Sequence, residues 1–174
     1  MKHHILFLVP AACLALLCAC GAGKGHNQLE PAVEPLPPLE IKQFSFTHTA
    51  SYMEDCFRLE LTREEDGTHL YAEELFSGGR IADEKIGHDA LDRICKLAGE
   101  YRVDLWDGFD ENAKNIQDGS NFSLEITLAD GSTISARGSN RFPAYYSEVS
   151  SSIRTLYAEL MQLYADSEGK EDVL

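Results

Sequence analysis

The sequence has few basic residues and no recognisable catalytic motif. Its 174 residues include 15 Lys and Arg against 29 Asp and Glu, which gives a formal net charge of −14. No basic cluster offsets this charge, so the surface repels phosphate backbones and nucleic acid is excluded as a partner. The chain also lacks a Gly-x-Ser-x-Gly elbow, a His-Glu-x-x-His motif, a phosphate-binding glycine-rich loop and a Cys-x-x-Cys pair. We therefore expect no catalytic residues and no cofactor.

A single uncharged apolar run, residues 5–17, follows Lys2 at the N-terminus. As a helix this run would be about 20 Å long, which is short of the ~30 Å hydrocarbon core of a bilayer. Its length and its internal Pro10 are typical of the apolar region of a signal peptide rather than of a permanent membrane span.

The run ends in Leu-Cys-Ala-Cys, residues 17–20, which resembles the lipobox of bacterial lipoproteins. In that motif a large apolar residue stands three positions before the modified cysteine and a small residue stands directly before it. Leu17 and Ala19 hold these positions relative to Cys20. The resemblance implies a signal peptide over residues 1–19 and diacylation of Cys20. It also implies a domain anchored on the extracytoplasmic side of a bacterial cell membrane, because two acyl chains anchor a protein stably. The alternatives are an ordinary secreted protein cleaved nearby and an N-terminus that is apolar by chance.

The composition changes from Gly-rich to Pro-rich over residues 20–40, which predicts a tether between the lipidated cysteine and the domain. Residues 41–166 carry the periodic patterns of a single α+β domain, which is large enough to bury a hydrophobic core. Residues 167–174 are polar, and we expect them to form a frayed tail.

Alternating apolar residues predict strands in this domain, and apolar residues at a spacing of three to four predict helices. Two Asp-Gly pairs, at residues 66–67 and 130–131, are typical of hairpin turns. The resulting order, βββ-α-ββ-α, predicts an antiparallel sheet of about five strands with both helices packed on one face. The predicted strands span residues 41–49, 55–63, 69–76, 121–128 and 132–138, with a further short extended piece at 81–86, and the predicted helices span residues 88–101 and 143–165.

Several runs of the domain resemble uncharacterised lipoproteins of gut-dwelling Firmicutes. They are Trp-Asp-Gly-Phe at residues 106–109, Asp-Gly-Ser-Asn-Phe-Ser-Leu at 118–124, and Gly-Ser-Asn-Arg-Phe-Pro at 138–143. The resemblance covers most of residues 50–165. Because that group has no assigned activity, the resemblance supports the location and the unity of the domain and implies no site residue.

Two cysteines, Cys56 and Cys95, lie in the domain. An extracytoplasmic location allows a disulfide between them. If Phe57 faces the core, however, Cys56 lies on the opposite face of its strand, whereas Cys95 lies beside the apolar stripe of its helix. A disulfide between them therefore remains an alternative. We favour two separate thiols, at least one of which is buried.

The irregular segment 104–118 is the first candidate site. Asp104, Asp107, Asp110 and Asp118 carry the hard oxygen ligands that suit Ca²⁺. Their spacing does not match the EF-hand pattern, and acid-rich loops are commonly just solvated. We therefore expect no metal, with calcium at these aspartates as the weak alternative.

Two aromatic residues of the same segment, Trp106 and Phe109, allow a second interpretation. Together with Asp107 and Asp110 they could form an exposed platform that binds a sugar or a peptide. Aromatic residues in such a loop more often plug the edge of a sheet, and we favour the plug.

Asn140 and Arg141, in the junction before the second predicted helix, are the second candidate site. The N–H groups at the start of the helix and the guanidinium of Arg141 could hold a carboxylate or a phosphate. The alternative is that Ser139 and Asn140 satisfy the backbone of the turn while Phe142 packs beneath it. We favour this structural role.

Taken together, these features predict a membrane-anchored lipoprotein with a non-catalytic module that binds a ligand or a protein partner in the cell envelope. A ligand- or cation-sensing lipoprotein that uses residues 104–118 is the alternative. A hydrolase with an unrecognised site is a weaker one.

We expect the substitution Cys20→Ala to block lipid labelling of the full-length protein in a bacterial host, because the lipid is attached through the sulfur of Cys20. The variant should be released or should stall as a precursor, whereas Cys18→Ala should be lipidated like the wild type. Metabolic labelling with a clickable fatty acid and membrane fractionation measure both variants. Normal lipidation of Cys20→Ala would show that the anchor is assigned to the wrong residue.

Overall fold

The structure is a computed structural model, which describes residues 34–51, 56–76, 79–114 and 119–171. Cys20, the expected signal peptide and most of the expected tether lie outside these ranges, and so does Asp118. All of the described residues belong to one compact unit. None of the helices in these ranges combines the length and the apolar composition that a membrane crossing needs.

A sheet of seven strands and two α-helices make up the described fold. The strands are β1 (Ile41–Ala50), β2 (Phe57–Arg63), β3 (Thr68–Glu74), β4 (Ile81–Ile86), β5 (Asp110–Asn112), β6 (Ser120–Leu128) and β7 (Thr133–Ser139). The helices are α1 (Asp89–Glu100) and α2 (Tyr146–Glu171), and a short 3-10 turn (Val103–Trp106) follows α1. The strand order is β4-β3-β2-β1-β6-β7-β5.

The predicted α+β class is confirmed, and the predicted antiparallel sheet of about five strands is roughly right but not exact, because the sheet has seven strands and one parallel pairing. The short extended piece at Ile81–Ile86 is a full strand, β4, which pairs antiparallel with β3. The seventh strand, β5, pairs in parallel with β7, so the sheet is mixed. β5 was not predicted from the sequence, because its residues, Asp110–Asn112, are all exposed and show no apolar alternation.

Only one face of the sheet is buried, because apolar and polar side chains alternate along the strands. In β2, for example, Leu59 and Leu61 are fully buried, whereas Arg58 and Glu60 on the opposite face are partly exposed. Apolar side chains of both helices belong to the same core as the buried strand residues. Complete burial of a Leu or Phe side chain contributes about 1.5–3 kcal/mol, so this core dominates the stability. Its largest fully buried members include Phe46, Leu59, Leu61, Leu70, Leu91, Leu124, Ile126 and Ile153.

The second helix differs from its predicted bounds at both ends. It begins at Tyr146 rather than at Pro143, because Tyr145 has a left-handed backbone (φ 59°) that a helix cannot include. It continues to Glu171 rather than ending near residue 165, so much of the expected frayed tail is helical. The residues after Ala165 contain no proline that would stop the helix.

The last residues of the expected tether, 34–40, lie along α1, and we call them the N-terminal strap. The N–H of Leu36 donates to the carbonyl of Gly99 (2.9 Å), and the N–H of Leu39 donates to the carbonyl of Cys95 (3.0 Å). The ordered domain therefore includes residues before Ile41, the predicted boundary.

Both cysteines of the domain are buried, and they are not joined in a disulfide. Cys56 lies before the start of β2, where its sulfur accepts a hydrogen bond from the N–H of Ala50 (3.2 Å). Cys95 lies 3.9 Å from the guanidinium of Arg63, which ends β2. The seven residues of β2 span about 20 Å, far beyond the Cα separation of a disulfide. The two thiols are therefore separate, and Cys56 is buried although its expected face was the polar one.

The strap approaches α1 so closely that only glycine fits at position 99. A Cβ atom at Gly99 would overlap the carbonyl oxygen of Pro37. In an isolated helix Gly→Ala is favourable by about 1 kcal/mol, but the overlap must displace the strap. We expect Gly99→Ala to lower the free energy of unfolding by about 1–3 kcal/mol, the usual cost of overpacking.

Urea denaturation followed by circular dichroism measures this change. Gly87→Ala is the matched control, because a Cβ atom there meets nothing within 4 Å. Unchanged stability of Gly99→Ala would mean that the strap is not held against α1.

Candidate functional site

The two candidate segments of the sequence meet on one side of the domain, where they line a groove of about 350 Å³. We call it the Trp106 groove. Residues of the first segment supply one wall, and residues of the junction before α2 supply the other. Its lining includes Leu105, Trp106, Phe109, Arg141, Phe142 and Tyr145.

The 3-10 turn after α1 sends two neighbouring side chains in opposite directions. Arg102, with a left-handed backbone (φ 53°), separates α1 from this turn. Trp106 then points into the core and is only 2% exposed, whereas Leu105 is 61% exposed. The indole N–H of Trp106 donates to the carbonyl of Ala144 (3.1 Å), which ties the two walls of the groove together.

Aromatic rings pack around Phe122, a residue of β6, beneath the groove. Its ring centroid lies 6.1 Å from that of Trp106, 6.2 Å from that of Phe109 and 4.7 Å from that of Tyr146. Phe142 stacks on Tyr146, with centroids 4.4 Å apart, but remains 39% exposed. Trp106 is thus buried in the core, and Phe142 packs against Tyr146 while part of its ring stays exposed.

A buried polar contact holds the first residue of α2. The hydroxyl of Tyr146 lies 3.1 Å from Nδ1 of His48 in β1. Burial raises the pKa of Tyr146, so the hydroxyl stays protonated and can donate to the ring nitrogen. This contact fixes the start of α2 relative to the centre of the sheet.

Two aspartates of segment 104–118 are engaged in separate contacts. Both carboxylate oxygens of Asp104 accept hydrogen bonds from the guanidinium of Arg102, at 2.8 and 2.9 Å. Asp107 accepts a hydrogen bond from the N–H of Ser135 (3.0 Å) and thereby covers part of the open edge of β7.

Asp110 is held by a third partner, since its carboxylate accepts a hydrogen bond from Arg137 at 2.6 Å. This contact lowers the pKa of Asp110. Each of these three aspartates therefore has its own partner, and Asp118 lies outside the described residues. No group of three or more His, Cys, Asp or Glu that could hold a metal ion occurs within the ranges that the structure describes.

Asn140 has the structural role that the sequence favoured. Its backbone is left-handed (φ 53°), and its side-chain oxygen accepts a hydrogen bond from the N–H of Ser120 (3.0 Å). Its own N–H donates to the carbonyl of Ser120 (2.9 Å). These bonds join β6 to the junction that supplies one wall of the groove.

Arg141, by contrast, is exposed and lines the groove. It makes no ion pair or hydrogen bond with any residue that the structure describes. Other arginines, such as Arg58, Arg63 and Arg137, form ion pairs with carboxylates. Of the two candidate residues in the junction, Arg141 is therefore the one whose side chain is available to a ligand.

Several residues of the groove were not singled out as candidates from the sequence, among them Leu105, Arg102 and Tyr145. The only sequence signal for Leu105 was its position next to a tryptophan in a segment without periodicity. Tyr145 lines the groove because of its left-handed backbone, which no sequence pattern indicated. Comparison with family models, curated proteins and solved structures found no match for the chain.

We expect Asp107→Ala to lower the free energy of unfolding by about 0.5–1 kcal/mol, because the N–H of Ser135 loses its partner. The matched control is Glu111→Ala, which removes an exposed carboxylate from the neighbouring strand β5 and should change stability by less than about 0.5 kcal/mol. Urea denaturation of both variants measures the difference. Equal stability of the two would argue against a structural role for Asp107.

Proposed function

We propose that the protein is a membrane-anchored, extracytoplasmic lipoprotein whose domain is a non-catalytic binding module for a protein partner in the cell envelope. The Trp106 groove is the binding surface. The observation that carries this proposal is the convergence of exposed apolar side chains on a preorganised groove. The lipobox supports the anchoring, and the groove supports the binding role.

The exposed apolar side chains of the groove are the first line of support. Leu105 is 61% exposed and Phe142 is 39% exposed, and both line the groove beside half-buried Tyr145. Single exposed apolar residues are ordinary, but apolar residues that converge on one concave surface mark interaction sites. Aromatic residues and arginine, which dominate this lining, are also the residues that contribute most to protein interfaces.

The rigidity of the groove is the second line of support. The non-glycine residues with positive φ in the described ranges are Arg102, Asn140 and Tyr145, and all three lie in or beside the groove. A left-handed backbone at such residues costs about 1–3 kcal/mol and persists only where the surroundings hold it. A groove held in this way loses little conformational entropy when a partner binds.

We expect Leu105→Asp to reduce partner binding at least tenfold, because a carboxylate in the dehydrated centre of an interface is costly. A photo-reactive phenylalanine analogue at position 142 of the full-length protein, in living cells, should give a discrete cross-linked product. Its yield should fall sharply in the Leu105→Asp background while the circular dichroism spectrum stays unchanged.

Leu163→Asp is the matched control, because Leu163 is 65% exposed on α2 and does not line the groove. It should leave the cross-linked product intact. Equal yields with Leu105→Asp and Leu163→Asp would refute the groove as the binding surface.

A further inference from the structure

Two unpaired charges of opposite sign lie on the Trp106 groove. Arg141 belongs to the junction before α2, and Glu111 belongs to β5. Both are exposed, and neither side chain makes an ion pair or a hydrogen bond with another residue in the described part of the chain. They do not pair with each other although both line the same groove.

The third charged residue of the groove, Arg102, is already neutralised. Its guanidinium donates two hydrogen bonds to Asp104, at 2.8 and 2.9 Å. This bidentate geometry is the strongest that an arginine makes with a carboxylate. One positive and one negative side chain of the same groove therefore remain available to a partner.

We propose that the Trp106 groove binds a segment of a partner protein in which a large apolar side chain lies between an acidic and a basic side chain. The apolar side chain contacts Leu105 and Phe142, the acidic one pairs with Arg141, and the basic one pairs with Glu111. This inference rests on the proposed function and specifies the chemistry of its partner.

Charge complementarity favours this occupant over a lipid surface or a second copy of the chain. An anionic bilayer would pair with Arg141 but would repel Glu111 on the same groove. A second copy would bring together two chains that each carry a formal charge of −14. The same charge accelerates the approach of a partner whose surface is basic. Ion pairs that lose water beside an apolar contact also contribute more than exposed ones.

The chain contains one tryptophan, Trp106, so its fluorescence reports directly on the groove. The experiment uses the full-length protein in phosphatidylcholine nanodiscs and three capped peptides without tryptophan. Two of them carry the order Ala-Glu-Leu-Lys-Ala and its reverse, Ala-Lys-Leu-Glu-Ala. The third, Ala-Gln-Leu-Gln-Ala, is neutral.

We expect one of the charged peptides to bind at least about threefold more tightly than the neutral peptide, a modest gain because each pair is partly exposed. The gain should disappear in Arg141→Gln and in Glu111→Gln, and it should shrink as salt is added. It should persist in Lys96→Gln, the matched control, which removes an exposed charge from α1 outside the groove.

Equal binding of the charged and neutral peptides would overturn this inference and leave the proposed function standing, provided that Leu105→Asp weakens both. No fluorescence change with any peptide up to about 5 mM would also overturn the inference. If, in addition, Leu105→Asp left the cross-linking at position 142 unchanged, the proposed function would also be refuted.

Two other outcomes would assign the groove to a different occupant and overturn the inference. Quenching of Trp106 fluorescence by brominated lipids in the nanodisc would assign the groove to the membrane. Dimers in sedimentation that Arg141→Gln abolishes would assign it to a second copy of the chain.

Discussion

The burial of Trp106 against Phe122 is the interaction on which the rest of this surface depends. The indole fills the space between β6 and α2, and its N–H holds the carbonyl of Ala144 on the opposite wall of the groove. Because this one side chain contacts both walls, the segments before β5 and before α2 keep a defined distance. Leu105 is exposed for the same reason, since its neighbour takes the inward position in a tight 3-10 turn.

The described part of the acidic segment lies along the open edge of β7. The N–H of Gly108 donates to the carbonyl of Ser135, and the carboxylate of Asp107 accepts from the N–H of the same residue. The N–H of Arg137 donates to the carbonyl of Phe109, and β5 completes the pairing. An unpaired strand edge invites association with other chains, so covering it is useful in itself. Asp107 thus contributes to covering this edge, and the exposed Leu105 lies beside it in the chain.

The N-terminal strap connects the proposed anchor with the proposed site. Glu34, where the described chain begins, accepts a hydrogen bond from Arg102 through its carbonyl (3.4 Å), and Arg102 also lines the groove. The strap therefore starts beside the groove and continues along α1 to β1. If residues 20–33 tether the domain to a membrane as proposed, a partner in the groove would bind close to the point where the tether arrives.

The sequence by itself determined the elements whose periodicity repeats over several residues. Alternation at Leu59 and Leu61 specified a half-buried strand, and the spacing of Leu91, Ile94 and Ala98 specified the buried face of α1. Only the tertiary structure decided β5, the left-handed backbone of Tyr145 and the meeting of the two walls of the groove. These features depend on contacts between residues distant in the chain, such as the pairing of Asp110–Asn112 with β7. Local propensity does not encode such contacts, because their free energy arises only when the core brings both partners together.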